Sequence, residues 1–230
     1  MKIFAIADLH LPGNSEKPMD VFGEKWDRHF ERIADTWQTS VGEADIVLIP
    51  GDISWALRLS DAQDDLNAIG RLNGQKVLLR GNHDYWWNSL SKVRSILPKD
   101  MYAVQNDHIL IGGFAFAGSR GWTVPGSVGF HAAEDEKLYE RELTRLELSL
   151  SSVDKGTPLI GMLHYPPFSE RRLPSGFCEL FERYSAREVV YGHLHGKSCK
   201  NAFEGVHNGV RYTLCSADHI EFTPKLIAQT

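Results

Sequence analysis

The chain has 230 residues, 42% hydrophobic and 24% charged, with a formal net charge of −5. That composition suits an ordinary soluble globular protein, long enough to bury a sizeable core in one large domain or two small ones. With no basic excess it gives no support for binding along a phosphate backbone, although a local basic site stays open.

Residues 2–7 form a near-continuous apolar run, read as a buried strand, that stops at Asp8-Leu9-His10. A polar loop with Gly and Pro follows from Leu11 to about Gly23. Trp26, Phe30, Ile33, Trp37 and Val41 then recur at spacings of three and four, the apolar face of a helix whose tryptophans pack in the core. Ile46 to Ile49 is a second buried strand, ending at Pro50-Gly51-Asp52. Ser60-Asp61-Ala62-Gln63 has the form of a capping box, opening a helix through Leu66 and Ile69 that Gly74 closes. A third strand, Val77 to Leu79, delivers Gly81-Asn82-His83-Asp84, and a short helix with Leu90, Val93 and Leu97 follows. Strand and helix alternate to this point, which predicts parallel strands joined by right-handed crossovers.

After Pro98 the pattern changes. Ile109 to Ile111, Gly112-Gly113 and Phe114 to Phe116 read as an antiparallel hairpin. A glycine-rich loop (118–129) holds Arg120 and Trp122. Residues 132–153 form the longest helix, with Leu138, Leu143, Leu146, Leu150 and Val153 on its buried side and an acidic, solvated outer face. Leu159 to Leu163 is another buried strand, ending at His164. A helix around Phe177, Leu180, Phe181 and Tyr184 leads to Val189-Val190-Tyr191, which ends at Gly192-His193-Leu194-His195. Asn208-Gly209 turns a hairpin continued by Thr213-Leu214-Cys215, and a last strand lies near 225–228.

Five apolar strands thus end in Asp8/His10, Asp52, Asn82/His83/Asp84, His164 and His193/His195. In an open α/β sheet, ligands bind beyond the carboxyl ends of the strands. A single one of these endings reads equally as a capped strand or a hydrogen-bonded core histidine; their joint occurrence carries the signal. Two carboxylates, one amide oxygen and four imidazoles form an O/N donor set without thiolate. It suits Mn, Fe, Zn or similar divalent metals and argues against Mg or Ca. Seven donors are too many for one ion and about right for two sharing a carboxylate.

The order D-x-H, G-D, G-N-H-D, H, G-H-x-H, complete from Asp8 to His195, resembles the calcineurin-like metallophosphoesterase superfamily. The resemblance implies an α/β fold, a four-layer αββα sandwich of two mixed β-sheets flanked by helices, as a single domain over 1–230. It also implies a dinuclear-metal-dependent phosphohydrolase that cleaves phosphomono- or phosphodiester bonds with metal-activated water. By this likeness Asp8, His10 and His195 hold the first of two divalent transition-metal ions. Asp52 bridges both, and Asn82, His164 and His193 complete the second. His83 acts on the leaving-group oxygen, with Asp84 accepting its other ring N–H. The residues support these last two roles independently, since a leaving oxygen needs a proton donor and a neighbouring carboxylate orients an imidazole.

A non-catalytic binding scaffold on the same fold would show degenerate ligands or a lost His83, and the chain shows neither. A nuclease would want a basic groove or stacking platforms, which are not evident. A lipid-headgroup hydrolase would want an exposed apolar surface, and Trp86-Trp87 reads as core instead. The expected partner is therefore a small phosphorylated substrate, selected by Leu11 to Gly23, Ser54-Trp55, Gly118 to His131 and Tyr165 to Gly176. Arg120 can present a planar fork to a phosphate oxygen or stand as a loop charge. Cys178, Cys199 and Cys215 are odd in number and form no C-x-x-C pair. That suits a reducing compartment and argues against disulfide framework and zinc knuckle alike. A cleaved leader would remove Asp8, and no apolar run approaches a membrane span, so the expected location is cytoplasmic.

Overall fold

A computed structural model describes residues 1–13 and 19–229. Its strands are β1 (Lys2–Ala5), β2 (Ile46–Pro50), β3 (Gln75–Leu79), β4 (Met101–Val104), β5 (His108–Ile111), β6 (Phe114–Ser119), β7 (Leu159–Leu163), β8 (Glu188–Tyr191), β9 (Gly205–His207), β10 (Val210–Leu214) and β11 (Lys225–Gln229). Its α-helices are α1 (His29–Ser40), α2 (Gln63–Gly70), α3 (Leu90–Ile96), α4 (Ala132–Ser151) and α5 (Gly176–Arg183). They build two mixed sheets, ordered β11-β1-β2-β3-β4 and β5-β6-β7-β8-β10-β9. Pairing is parallel except at β1/β11, β5/β6 and β9/β10.

Period-two alternation decides the layering. Ile3, Ala5, Ile46, Leu48 and Val77 point to one face, where they meet Phe116, Ile160, Met162 and Val190 of the second sheet. Phe4, Ile6, Val47, Ile49 and Leu78 point to the other, against Ile33, Trp37, Leu66, Ile69 and Val93 of the helices. The second sheet covers its outer face with α4 and α5 through Leu146, Leu150, Phe177 and Phe181. Strands buried on both faces read as continuous apolar runs, which is why they were legible. The result is the expected mixed α/β sandwich of two sheets and outer helices.

Several local expectations need correction. The capping box is not made: Ala62 precedes α2 without a side-chain cap, and Ser60 Oγ donates to Asp61 instead. That helix closes at Gly70, and Gly74, at φ 81°, turns the chain into β3. Trp26 lies in a 3-10 turn before α1, although it is buried as expected. Strand β4 was not anticipated, because four residues between Asp100 and Gln105 carry too little pattern. On α4 the expected solvated acidic face is interrupted, since Glu142 is buried. Trp86 and Trp87 are core residues. No helix among the described residues is long and apolar enough to cross a membrane.

Candidate metal centre

The five predicted strand endings converge at the shared carboxyl edge of the two sheets. Asp8 and His10 follow β1, Asp52 follows β2, Asn82 and His83 follow β3, His164 follows β7, and His193 and His195 follow β8. The chain reaches this geometry through unusual backbone. Asp8 (φ 60°), His10 (45°), Asp52 (53°) and His193 (73°) all occupy the left-handed region, which side chains other than glycine rarely adopt. Cross-strand hydrogen bonds hold them there: Asp8 N donates to the Gly51 carbonyl and His10 N to the Asp52 carbonyl, both at 3.0 Å. His193 N donates to Asp8 Oδ2 at 3.0 Å and His83 N to Asp52 Oδ1 at 2.8 Å. Glycine is required beside them. A Cβ on Gly81 would lie 2.1 Å from Asp52 Oδ1, and one on Gly51 would lie 2.7 Å from His164 Nδ1.

Two groups of side chains gather donor atoms within 4.8 Å of one another: Asp8, His10 and His195, and Asp8, Asp52 and His164. His10 Nε2 and His195 Nε2 are 3.4 Å apart, and His195 Nε2 is 3.8 Å from Asp8 Oδ1. His164 Nε2 lies 3.5 Å from Asp52 Oδ2, and His10 Nε2 lies 3.9 Å from the same oxygen. Asn82 Oδ1 is 2.6 Å from His164 Nε2 and 3.0 Å from His193 Nδ1. All seven predicted donors therefore meet, with Asp8 as well as Asp52 lying between the two halves.

Tautomers are set from outside the cluster. His164 Nδ1 faces the Pro50 carbonyl at 3.1 Å and His195 Nδ1 faces Asp218 Oδ1 at 2.8 Å. Each partner takes the N–H and leaves the Nε2 lone pair turned inward. Burial also keeps protons off three of the four imidazoles, whereas His195 is raised, its burial outweighed by its bond to Asp218 and by the nearby carboxylates. Burial lowers His164 to about 3 and His193 to about 2, and brings His10 well below its usual range. The same burial pushes the Asp8 carboxyl up to about 7, against the favourable charge of His195, and raises Asp52. Three converging imidazoles that reject protons, beside buried carboxylates that lack a full counter-charge, are the chemistry of a cation site. The donor set fits divalent transition metals, with no thiolate among it.

Two expectations change. Asp84 does not accept the ring N–H of His83. Its buried carboxylate takes Gly81 N (2.7 Å), Ile53 N (2.9 Å), Ser54 N (3.2 Å) and Trp86 Nε1 (3.0 Å), which uses its lone pairs on the backbone and on the indole. Burial raises Asp84 to about 7 against these donors, and its visible effect is to tie the loop after β2 to the Gly81 turn. His83 Nδ1 has no hydrogen-bond partner among the described residues, and the ring lies 4.5 Å from Trp55. Arg120 lines neither cleft at this centre: its guanidinium sits over Trp122 at 4.8 Å and 3.7 Å from Glu142.

Asp218 was missed. It follows β10 as the other carboxylates follow their strands, so the same sign was present, but Ser216-Ala217 separates it from the apolar run. It accepts from His195 Nδ1, Lys25 Nζ (2.5 Å) and Gly196 N (2.9 Å), and these bonds hold it well below the usual carboxylate range despite burial. Trp55, named only as a selector, stacks on His10 at 4.8 Å and 19°. Two clefts meet at His193. One, of about 460 Å³, is lined by Asp52, His83 and His195 beside Trp26, Trp55 and Phe22. The other, of about 250 Å³, is bounded by Tyr165, Phe168, Ser169 and Glu170. Of the expected selector Leu11 to Gly23, residues 14–18 lie outside the described residues.

A two-sheet α/β sandwich with Asp/His groups able to hold metal at the strand ends has the architecture of a metal-dependent phosphoesterase. The family model for the calcineurin-like phosphoesterases matches residues 1–197, and the chain belongs to that family. A comparison with curated proteins returns no match. Among solved structures, a phosphopantetheinyl hydrolase from Mycobacterium tuberculosis is similar at 15% identity and TM-score 0.58, over 100% of this chain and 96% of that one. A protein of unknown function from Aquifex aeolicus is similar at 16% identity and TM-score 0.53, over 98% and 95%. A protein from Thermus thermophilus is similar at 13% identity and TM-score 0.52, over 85% and 82%. At these identities the likeness concerns the fold.

Proposed function

We propose that the chain hydrolyses phosphomono- or phosphodiester bonds of a small substrate with two divalent metal ions. Asp8, His10 and His195 would hold one ion, and Asn82, His164 and His193 the other, with Asp52 between them. The observation that carries this reading is the convergence of seven O/N donors, two of which, His164 and His195, are oriented by hydrogen bonds from outside that leave their Nε2 lone pairs turned inward. Such ions, when bound, activate water near neutral pH and neutralise the phosphoryl oxygens. The chain's own residues supply the rest. His83 lines the larger cleft beside Asp52 and donates a proton to the leaving oxygen. Its backbone N–H bond to Asp52 keeps it in step with the metal ligands. Asp84 acts on His83 only by positioning the turn that carries it. Two clefts meeting at His193 leave space on both sides of a phosphorus, which accommodates a diester as well as a monoester.

The test is a metal-supplemented activity panel of aryl phosphomonoesters, aryl diesters, cyclic nucleotides and dinucleotides, run beside elemental analysis of wild type and Asp52→Asn. Hydrolysis of a panel member, two metal equivalents in wild type and weakened binding of both in Asp52→Asn are expected. Full occupancy of both sites with unaltered affinity in Asp52→Asn would remove the bridge. Metal-loaded protein inert on the whole panel would mark a scaffold.

A further inference from the structure

One strand further along the same sheet edge lies a second polar cavity, of about 130 Å³, at the carboxyl ends of β3, β4 and β6. Arg80, Arg120 and Arg145 line it together with the amides of Asn88 and Gln105, and Glu142 is the only carboxylate among its lining residues. Guanidiniums stay protonated in proteins, so three cations face one anion and two positive charges are in surplus. Glu142 is itself 1% exposed and already shared. Its Oε1 accepts from Arg145 Nη1 at 2.7 Å, with Arg120 Nη2 at 3.7 Å and Arg141 Nη2 approaching from outside at 3.8 Å.

Arg80 has no such partner. Its guanidinium makes no hydrogen bond or ion pair with any described residue, and the Nε atoms of Arg80 and Arg120 are both buried without an acceptor. Buried donors in native proteins are nearly always satisfied, so the unmet Nε–H groups of Arg80 and Arg120, together with the surplus positive charge lining the cavity, leave this cluster short of acceptors. The walls carry no second anion, since Glu142 is the only carboxylate among the lining residues. The Gln105 side-chain oxygen is taken by Trp87 Nε1 at 2.9 Å. What the cavity lacks is a compact, doubly charged acceptor with several oxygens, and the guanidinium fork matches a phosphate in geometry and charge.

We propose that this cavity binds a phosphate group, separate from the phosphoryl group at the metal centre. The site adjoins that centre. Arg80 precedes Gly81-Asn82-His83 directly, and the Arg120 carbonyl accepts from His164 N (3.1 Å) and Tyr165 N (3.0 Å). Neighbouring strands lie about 4.7–4.9 Å apart, so the two sites are separated by on the order of 10 Å, within reach of one substrate carrying two phosphates. The ligand is a phosphate dianion whether it arrives on the substrate or as the free ion.

Calorimetric titration of the metal-loaded protein with inorganic phosphate tests the site. Wild type should show two binding events. Arg80→Gln should weaken one of them about 10–100-fold at unchanged metal content, as expected for losing charge-assisted hydrogen bonds, and Arg80→Lys should fall between. Arg80 supports no ion pair, so its loss strips nothing from Glu142; should the variant not fold, Arg145→Gln gives the same readout. Asp52→Asn should weaken the other event, so failure of the hydrolase reading and failure of this one appear on different isotherms. Identical isotherms for wild type and Arg80→Gln would overturn the proposal, as would a single event in wild type that persists in Arg80→Gln. Kinetics then names the source. A bisphosphorylated substrate favoured over its monophosphorylated analogue in wild type, but not in Arg80→Gln, assigns the site to substrate. Modulation of monophosphate hydrolysis by free phosphate, lost in the same variant, assigns it to the ion.

Discussion

Replacing Asp218 by Asn isolates the support behind one half of the proposed metal centre. The carboxylate is 1% exposed and accepts three donors: His195 Nδ1 at 2.8 Å, Gly196 N at 2.9 Å and Lys25 Nζ at 2.5 Å. The first of these bonds places the His195 N–H outward and its Nε2 lone pair toward Asp8 and His10. Asn keeps the shape, loses the charge, and must turn its own N–H₂ toward at least one of those donors. The His195 ring then has a poorer partner and a free choice of tautomer. Removing such an outer partner of a metal-ligating imidazole typically costs about 10–100-fold in metal affinity, or about 1.4–2.7 kcal/mol. Competition against a chromophoric chelator should therefore show one of two metal equivalents weakened by that factor and the other nearly unmoved, because His164 is oriented by the Pro50 carbonyl instead. Lys25→Met is the internal control. Its ammonium is 44% exposed, so its loss should cost less than about 1 kcal/mol. Wild-type affinity for both equivalents in Asp218→Asn would refute the reasoning, and equal weakening of both would mean that the two halves do not bind independently.

Four further outcomes are expected. His83→Ala should keep its metals and lose about 10²–10⁴-fold in rate, most for poor alkoxide leaving groups and least for nitrophenolate; parallel plots of log kcat/KM against leaving-group pKa for wild type and variant would remove its proton-donor role. Asp84→Ala orphans four buried donors and should destabilise by at least about 3 kcal/mol in urea denaturation, whereas a near-neutral effect would show that the loop does not depend on it. Gly81→Ala should lose both metal and stability, since the added Cβ meets Asp52 Oδ1; a variant that keeps both would show that the turn can shift. Lys76 is 2% exposed, donates to the Leu72 and Gly70 carbonyls, and is brought down to about 8 by burial. The folded state therefore binds fewer protons than the unfolded one between about pH 8 and 10.5. Wild type should gain about 2 kcal/mol on Lys76→Met across that window, and denaturation curves at both ends that show a constant difference would contradict it.

The layered fold and the convergence of its candidate donors were legible for one physical reason. Strands buried on both faces leave unbroken apolar runs, and a metal centre at their carboxyl edge must place its side chains immediately after those runs. Asp8, Asp52, Asn82, His164 and His193 all obey that spacing. What lay outside it was not legible. Asp218 stands beyond its strand by three residues, Cys215 to Ala217, and its role exists only because His195 arrives from another strand. Asp84 sits beside His83 in sequence, yet four donors from elsewhere claim its oxygens. Glu142 belongs to an acidic helix face by periodicity; Arg141 and Arg145 share its helix, but Arg120, from the loop after β6, reaches it only in the fold. Partners that meet only through tertiary structure leave no local pattern.

The same separation appears in the energetics. Four candidate donors hold left-handed backbone, each at a cost on the order of 1–3 kcal/mol, and two carboxylates are buried with no cation but imidazoles beside them. None of this helps the chain fold. The three apolar clusters carry that burden, and the hydrogen bonds from Asp8 N, His10 N, His83 N and His193 N convert it into fixed positions for the donors. A bound cation relieves the unfavourable terms only in the folded state, so metal affinity and stability are linked by mass action. Residues that raise metal affinity without touching the metal, Asp218 foremost, should therefore raise the melting temperature in metal and leave that of chelated protein far less changed.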